Sequence, residues 1–391
     1  MAFQRGVAHA QRDEFEVAAI CFEQTLRLVP EHVGALWNLG LAWQFLGRME
    51  ESIAVLRQAI AHQPDLAAAH LNLAMSLFLK GDFAAAWHEY EWRWKCSRYG
   101  TRKIEALAPQ WQGETLTDSS LLVYGEQGIG DEIMFMSSLN ELRAQCARLI
   151  VACQARLIPL LKRSFADVIV IPQEALSDSE TRRRLGSISY QSALGSTLQF
   201  IRPLPSPDTA PDAFLIASDD VLQLWSMRLQ GLPPGLNVGI SWRGGSEPAE
   251  IKRRSTSLAQ WAPLLNVPHI NFINLQYGVR ADELDNAQSL VPGRLHHWPD
   301  NDPLRDLDNF AALIASLDLV ITVDNSTAHL AGALGTPTWL LISFPSSSYW
   351  RWLMEGERSC WYSSLRVFRK QHGESWESLL GTVAAPLASI K

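Results

Sequence analysis

Residues 319–341 read LVITVDNSTAHLAGALGTPTWLL. Leu319–Val323 is a run of strand length, apolar except for Thr322, the pattern of a strand buried on both faces. Asp324 closes it. Asn325, Ser326 and Thr327 are residue types that start helices, and the Ala- and Gly-rich segment after them predicts a helix able to press closely on a sheet. Another apolar run, TWLLISF, begins at Thr338. Strand, helix and strand in this order predict parallel strands joined by crossover helices.

The same alternation extends outward. From residue 119, LLVYGEQ, RLIVAC and DVIVIP read as strands, separated by helical spacing in GDEIMFMSSLNELRAQC and ARLIPLLKRSF. The Ser- and Pro-rich stretch Ser187–Pro211 gives no assignment. Near residue 236 the alternation restarts with NVGISW, SLAQWAPLL, HINFINLQ and NFAALIASL. Two doubly wound units in tandem, 119–235 and 236–391, predict a cleft with ligands at the carboxyl ends of the strands.

The first hundred residues differ. Sliding the chain along itself by 34 places Pro30 on Pro64. It also superposes Gly6, Gly40 and Ala74, then Ala18, Ser52 and Ala86, then Phe22, Leu56 and Tyr90. Small residues let paired helices approach, large ones fill the space between them, and the proline stops the second helix. Residues 1–98 therefore predict about three stacked helix pairs, whose concave face would bind a protein partner. Residues 99–118 read as a linker.

Three loops hold the residues best suited to a ligand. In VYGEQGIGDEIMF a strand runs into Gly125, Gly128 and Gly130, with Ile129 between the last two, and Asp131 opens a helix. Glycine permits close backbone approach, and a helix start offers free N–H groups and partial positive charge. A plain N-cap fits the same residues. The spacing is not the GxGxxG of a dinucleotide site, and the P-loop lysine is absent. In the second loop, Asn325, Ser326, Thr327 and the start of the helix at Ala328 predict a diphosphate cradle. His329 could hydrogen-bond the same anion or be a satisfied core residue. In the third, Trp242, Arg243 and Gly244 follow a strand, and Lys252-Arg253-Arg254 precede a Ser255-led helix. Arginine suits multidentate recognition of phosphate.

Trp350, Trp352 and Trp361 are expected to pack a domain edge, with Arg351 the one residue there brought to a ligand. Arg182-Arg183-Arg184 and His296-His297 read as surface. There is no HExxH, no GxSxG and no paired-cysteine motif. The 34 basic and 41 acidic residues leave a net charge of -7 with no basic half or tail, which argues against nucleic acid. Five scattered cysteines suit a reducing compartment. No leader or membrane-length apolar run is present, so a cytoplasmic protein is expected. Tryptophan is over-used, 15 against 14 Phe and 7 Tyr.

GEQGIGD, ISWRG with KRRS, INLQ, VDNSTAHLAGALGTPTWLL, YWRWL and WYSSLRVFR together resemble bacterial tetratricopeptide (TPR)-linked proteins related to the ADP-heptose:lipopolysaccharide heptosyltransferases, glycosyltransferase family nine. The likeness to the TPR-linked group spans nearly the whole chain. That to heptosyltransferases begins near residue 120 and is specific at the Asp131 loop and Asp324–Ala333. It implies a TPR solenoid followed by a GT-B glycosyltransferase of two Rossmann-like domains, with the acceptor on the first and the nucleotide sugar on the second. Asp131 matches the general base, and Arg254 or Arg253 the cation facing the donor diphosphate. Asp324, Ser326 and His329 match the nucleotide-sugar loop. Gln276 enters through INLQ, beside Trp242, Arg243 and Gly244. Asn325 departs from the family's usual threonine.

The implied activity is metal-independent, inverting transfer of a hexose or heptose from a nucleoside-diphosphate sugar, with no cofactor, to a hydroxyl acceptor, on a protein recruited by the repeats. Self-association is compatible with the sequence. The alternatives are a non-catalytic TPR adaptor on a degenerate GT-B body and another GT-B enzyme such as an epimerase.

Overall fold

The computed structural model describes residues 1–96, 104–245, 248–279, 281–343, 347–371 and 373–390. The chain divides into two compact units. The first is built on residues 1–103 and also takes in 198–205 and 344–356. Among the described residues it is built mainly from α1 (Ala2–Ala10), α2 (Phe15–Leu28), α3 (Val33–Phe45), α4 (Met49–His62), α5 (Ala67–Lys80) and α6 (Phe83–Tyr90).

The repeat columns account for their pairing. A Cβ at Gly6 would lie 2.6 Å from the Phe22 ring, and one at Gly40 would lie 2.6 Å from Leu56 Cγ. Ala74 and Tyr90 are the matching buried pair of the third repeat. Ser52, the polar member of its column, is buried but satisfied. Its hydroxyl donates to the Gly40 carbonyl at 2.7 Å and meets Ser76 Oγ at 2.9 Å.

The segment Ser347–Trp352 belongs to this helical unit. The Trp350 ring stacks on Phe78 at 4.4 Å and meets Trp87 edge-on at 6.2 Å. The Met354 N–H donates to the Leu79 carbonyl at 3.2 Å. Aromatic faces and edges of this kind add to the area they bury. The edge that Trp350 packs is thus that of the helices. Arg351 goes with them: it is 8% exposed, with its guanidinium 5.0 Å from the Trp350 ring centre. Its sequence assignment to a ligand is corrected, because the helical unit buries it.

The second unit holds two parallel sheets. The first contains β1 (Ser120–Tyr124), β2 (Arg148–Cys153), β3 (Ile169–Pro172) and β4 (Tyr190–Ala193), in the order β3-β2-β1-β4. The second contains β5 (Leu236–Ser241), β6 (Ile270–Asn274), β7 (Leu295–His296), β8 (Leu319–Val323), β9 (Thr338–Ile342) and β10 (Leu365–Arg369), in the order β10-β9-β8-β5-β6-β7. Strand order reverses beside β1 in one sheet and between β5 and β8 in the other. Loops leaving a sheet at such points diverge and open a crevice. The loops after β1, β5 and β8 are the three singled out above.

The linker expected at 99–118 begins outside the described residues at 99–103 and then joins the first sheet. The Trp111 N–H donates to the Gln191 carbonyl at 2.9 Å. Gln191 Oε1 accepts the N–H groups of Leu107 at 2.8 Å and Ala108 at 3.2 Å. The open edge at β4 is thereby covered. No helix among the described residues is long and apolar enough to cross a membrane.

Replacing Trp350 by Ala should cost about 3–5 kcal/mol, the usual range for a buried large aromatic. Amide hydrogen exchange in α5 and α6 should then accelerate; unchanged exchange there would show that the segment does not brace these helices.

Candidate functional site

The site is built where β5 and β8 end. Asn325 caps the helix Ser326–Ala333, its Oδ1 accepting the N–H groups of Thr327 at 3.0 Å and Ala328 at 3.4 Å. The same Oδ1 accepts the Thr322 hydroxyl at 3.1 Å. Its Nδ2 donates to Ser241 Oγ at 2.8 Å and to the Arg243 carbonyl at 2.9 Å. From the other side, Gln276 Oε1 accepts the N–H groups of Trp242 at 3.0 Å and Arg243 at 2.7 Å, and the Ser241 hydroxyl at 3.2 Å. Gly244 passes so close that a Cβ there would lie 2.4 Å from the Asp324 carbonyl oxygen.

These bonds engage the Asn325 and Gln276 amides in shaping the two loops. The Trp242 side chain is fully buried in the core of the second sheet, because strand alternation turns it inward. Arg243 is committed to Glu283 at 2.9 Å and to the Gly278 carbonyl at 3.0 Å.

Other assigned residues do converge. Arg254 lies 3.5 Å from Asp324, a carboxylate only 2% exposed. Of the two arginines, Arg254 is the one that reaches Asp324; Arg253 gives its carbonyl to Ser343 Oγ at 3.1 Å. Burial pushes the Tyr277 phenol up, and Arg254, Arg243 and Asp324 all act on it. Thr327 is 1% exposed, and its hydroxyl has no hydrogen-bond partner among the described residues. His329 Nδ1 meets the Tyr362 hydroxyl at 2.9 Å. A Cβ at Gly130 would lie 2.8 Å from His329 Cδ2 and 3.5 Å from Ser326 Cα. The glycine loop of the first sheet thus abuts the helix start of the second.

That loop carries three carboxylates. Asp131, half-buried at the third position of α7 (Ile129–Phe135), reaches back to accept the N–H of the N-cap residue Gly128 at 3.3 Å, where the plainer reading expects Asp131 itself at the N-cap. Glu126 is buried and accepts the Gly195 N–H at 3.0 Å. Glu132, 2% exposed, accepts the Gln154 N–H at 3.1 Å and its amide Nε2 at 3.0 Å. Burial pushes the Glu132 carboxyl up to about 7, opposed by those two bonds and assisted by Asp131 and Glu174. The glycines make room: a Cβ at Gly125 would lie 2.4 Å from the Glu132 carboxyl carbon, and one at Gly195 would lie 2.5 Å from Glu126 Oε1.

Between the two sheets lies a cavity of about 180 Å³. Ile129 and Ile133 of α7, Tyr277, Leu304, Leu307, Phe310, Ser326, Thr327 and Leu330 line it, together with Pro303 and Arg156. Glu132, Gln154, Arg156 and Tyr277 were not singled out in the sequence. Glu132 stood in plain view in the run GDE, but nothing local marks a carboxylate as buried.

Comparison with known proteins agrees with this architecture. Residues 3–60 and 44–94 match the tetratricopeptide repeat model, and residues 302–351 match the model for glycosyltransferase family 9 (heptosyltransferase). The chain is 31% identical over 381 residues to Protein FlbA of Caulobacter vibrioides (strain ATCC 19089 / CIP 103742 / CB 15), covering 94% of this chain and 63% of the relative, and so spans less than two thirds of its length. Among solved structures, E. coli ADP-heptose lps heptosyltransferase II is 15% identical with TM-score 0.47, over 69% of this chain and 99% of that one. The Sgt2 TPR domain from Aspergillus fumigatus is 23% identical with TM-score 0.23, over 24% and 62%. The chain thus carries tetratricopeptide repeat matches near its start and a family 9 match over residues 302–351, and it is similar to Protein FlbA over most of its own length.

Because Glu132 is raised when folded, from 4.5 to about 7, the folded chain binds the extra proton between those values. Its contribution to stability is therefore present below pH 4.5 and lost as pH rises through about 7, at no more than ~1.4 kcal/mol per pH unit. Glu132→Gln should flatten the fall in unfolding free energy across that interval. Equal slopes for both proteins in urea titrations would place the Glu132 carboxyl in water.

Proposed function

We propose that this protein is a metal-independent, inverting glycosyltransferase that moves a sugar from a nucleoside-diphosphate donor to a hydroxyl on a protein recruited by the TPR array. One observation carries the reading. Ser326 and Thr327, at the start of the helix that follows the Arg254–Asp324 pair, line a cavity together with Ile129 and Ile133 of α7, the helix that carries Asp131.

A donor diphosphate fits the helix N–H groups at Ser326–Ala328, where the helix end carries partial positive charge. Arg254, held near by Asp324, supplies the cation, so the charge of the departing diphosphate meets fixed donors. Asp131 takes the proton of the acceptor hydroxyl as its oxygen attacks the anomeric carbon. The bond from that carbon to the diphosphate breaks on the opposite face, and the electron pair leaves with the phosphate. General-base assistance of this kind contributes roughly 10²–10⁴-fold. The pairing with family 9 over residues 302–351 supports sugar transfer, and repeat arrays commonly bind proteins, which supports a protein acceptor.

A thermal-shift panel of nucleotide sugars on the full chain tests the donor. Stabilisation by at least one nucleoside-diphosphate sugar is expected, and none at millimolar concentration would leave the adaptor reading. Asp131→Asn should keep donor binding and lose transfer by about 10²-fold or more. Transfer at the wild-type rate would remove Asp131 as the base.

A further inference from the structure

We infer that Arg156 is an anion-binding residue of the cavity, holding a carboxylate or phosphate of the bound substrate opposite the start of the Ser326 helix. The site's other arginines have acidic partners: Arg243 pairs with Glu283, and Arg254 with Asp324. Arg156 has none among the described residues. Its polar contacts are two uncharged oxygens, the Pro303 carbonyl at 3.4 Å and Gln154 Oε1 at 3.1 Å. A guanidinium carries five donors, so capacity for a bidentate anion remains.

The surroundings favour such use. Arg156 lines the cavity beside Ile133, Leu304 and Phe310, apolar walls that lower the local dielectric and strengthen a charge pair. Thr327 lies in the same lining, and its buried hydroxyl has no hydrogen-bond partner among the described residues.

Arg156 is also held in place from behind. Gln154 gives both its backbone N–H and its Nε2 to Glu132. That fixes the amide with its oxygen turned to Arg156, the one orientation that accepts from a guanidinium. Glu132 acts here as a positioning residue through Gln154. The inference rests on the proposed function only in taking this cavity as the substrate site.

Calorimetric titration of the full chain with inorganic pyrophosphate, UDP, ADP, glucuronate and glucose tests it, using wild type, Arg156→Gln, Arg156→Lys and Arg254→Gln. The expected result is that Arg156→Gln weakens an anionic ligand about tenfold or more, with Arg156→Lys, which keeps the charge but not the bidentate fork, falling between that variant and wild type. Loss of pyrophosphate and nucleotide binding assigns the anion to the donor phosphates. Loss of glucuronate alone, with glucose unaffected throughout, assigns it to a sugar carboxylate. Wild-type affinity of Arg156→Gln for every anion would overturn the inference, as would absence of anion binding in the wild type. Nucleotide binding lost in Arg254→Gln and intact in Arg156→Gln would sink this inference and leave the transferase reading standing. Pyrophosphate or glucuronate binding lost in Arg156→Gln, without any nucleotide binding in wild type, would do the reverse.

Discussion

The ligand end of the second sheet depends on one side chain, Asn325. β5 and β8 are hydrogen-bonded neighbours whose chains leave toward different elements, so their end loops tend to separate. The Asn325 amide spans them: its oxygen caps the Ser326 helix, and its nitrogen holds Ser241 and the Arg243 carbonyl. An amide can do both because it carries acceptor and donor on one planar group. The threonine that the heptosyltransferase likeness leads one to expect could cap the helix with its hydroxyl, but its single O–H could not also make both donations. The departure at residue 325 therefore trades a hydroxyl for a tie.

A second constraint is the use of glycine to admit bulky groups rather than to bend the chain. Gly130 accommodates the edge of His329, whose ring is anchored on the Tyr362 hydroxyl, and the Tyr362 ring in turn lies over Gly332. This run of contacts carries the Asp131 loop of one sheet onto the helix of the other. Gly125 and Gly195 admit Glu132 and Glu126 in the same way. A side chain at any of these glycines would clash with the group that the glycine admits.

Much of this was legible in the chain. Leu319–Val323 and Ser326–Ala333 were read as they stand, since a strand apolar except for Thr322 and a small-residue helix have few other solutions. The 34-residue period likewise aligns Gly6 with Gly40 and Phe22 with Leu56, and the structure packs Gly6 against Phe22 and Gly40 against Leu56. β4 was missed because Tyr190–Ala193 is four residues long and half polar, its pairing with β1 and with residues 107–111 being non-local. Trp242 and Arg351 were placed near a ligand because sequence records which residues adjoin a loop, not which way their side chains turn. Arg156 escaped notice for the complementary reason: it has no motif, and only the fold carries it to the cavity wall. The tryptophans proved mainly structural, with Trp242 and Trp261 in a sheet core and Trp350 bracing the helices.

The central claim is that the start of the Ser326 helix, with Arg254 and Asp324, holds an anionic substrate group. Amide hydrogen exchange of the full chain, with and without the nucleotide sugar that most raises its melting temperature, tests this directly. The account predicts slowed exchange at Ser326–His329 and in the loops at 125–131 and 242–245. Protection absent from Ser326–His329 while the ligand is bound would contradict it.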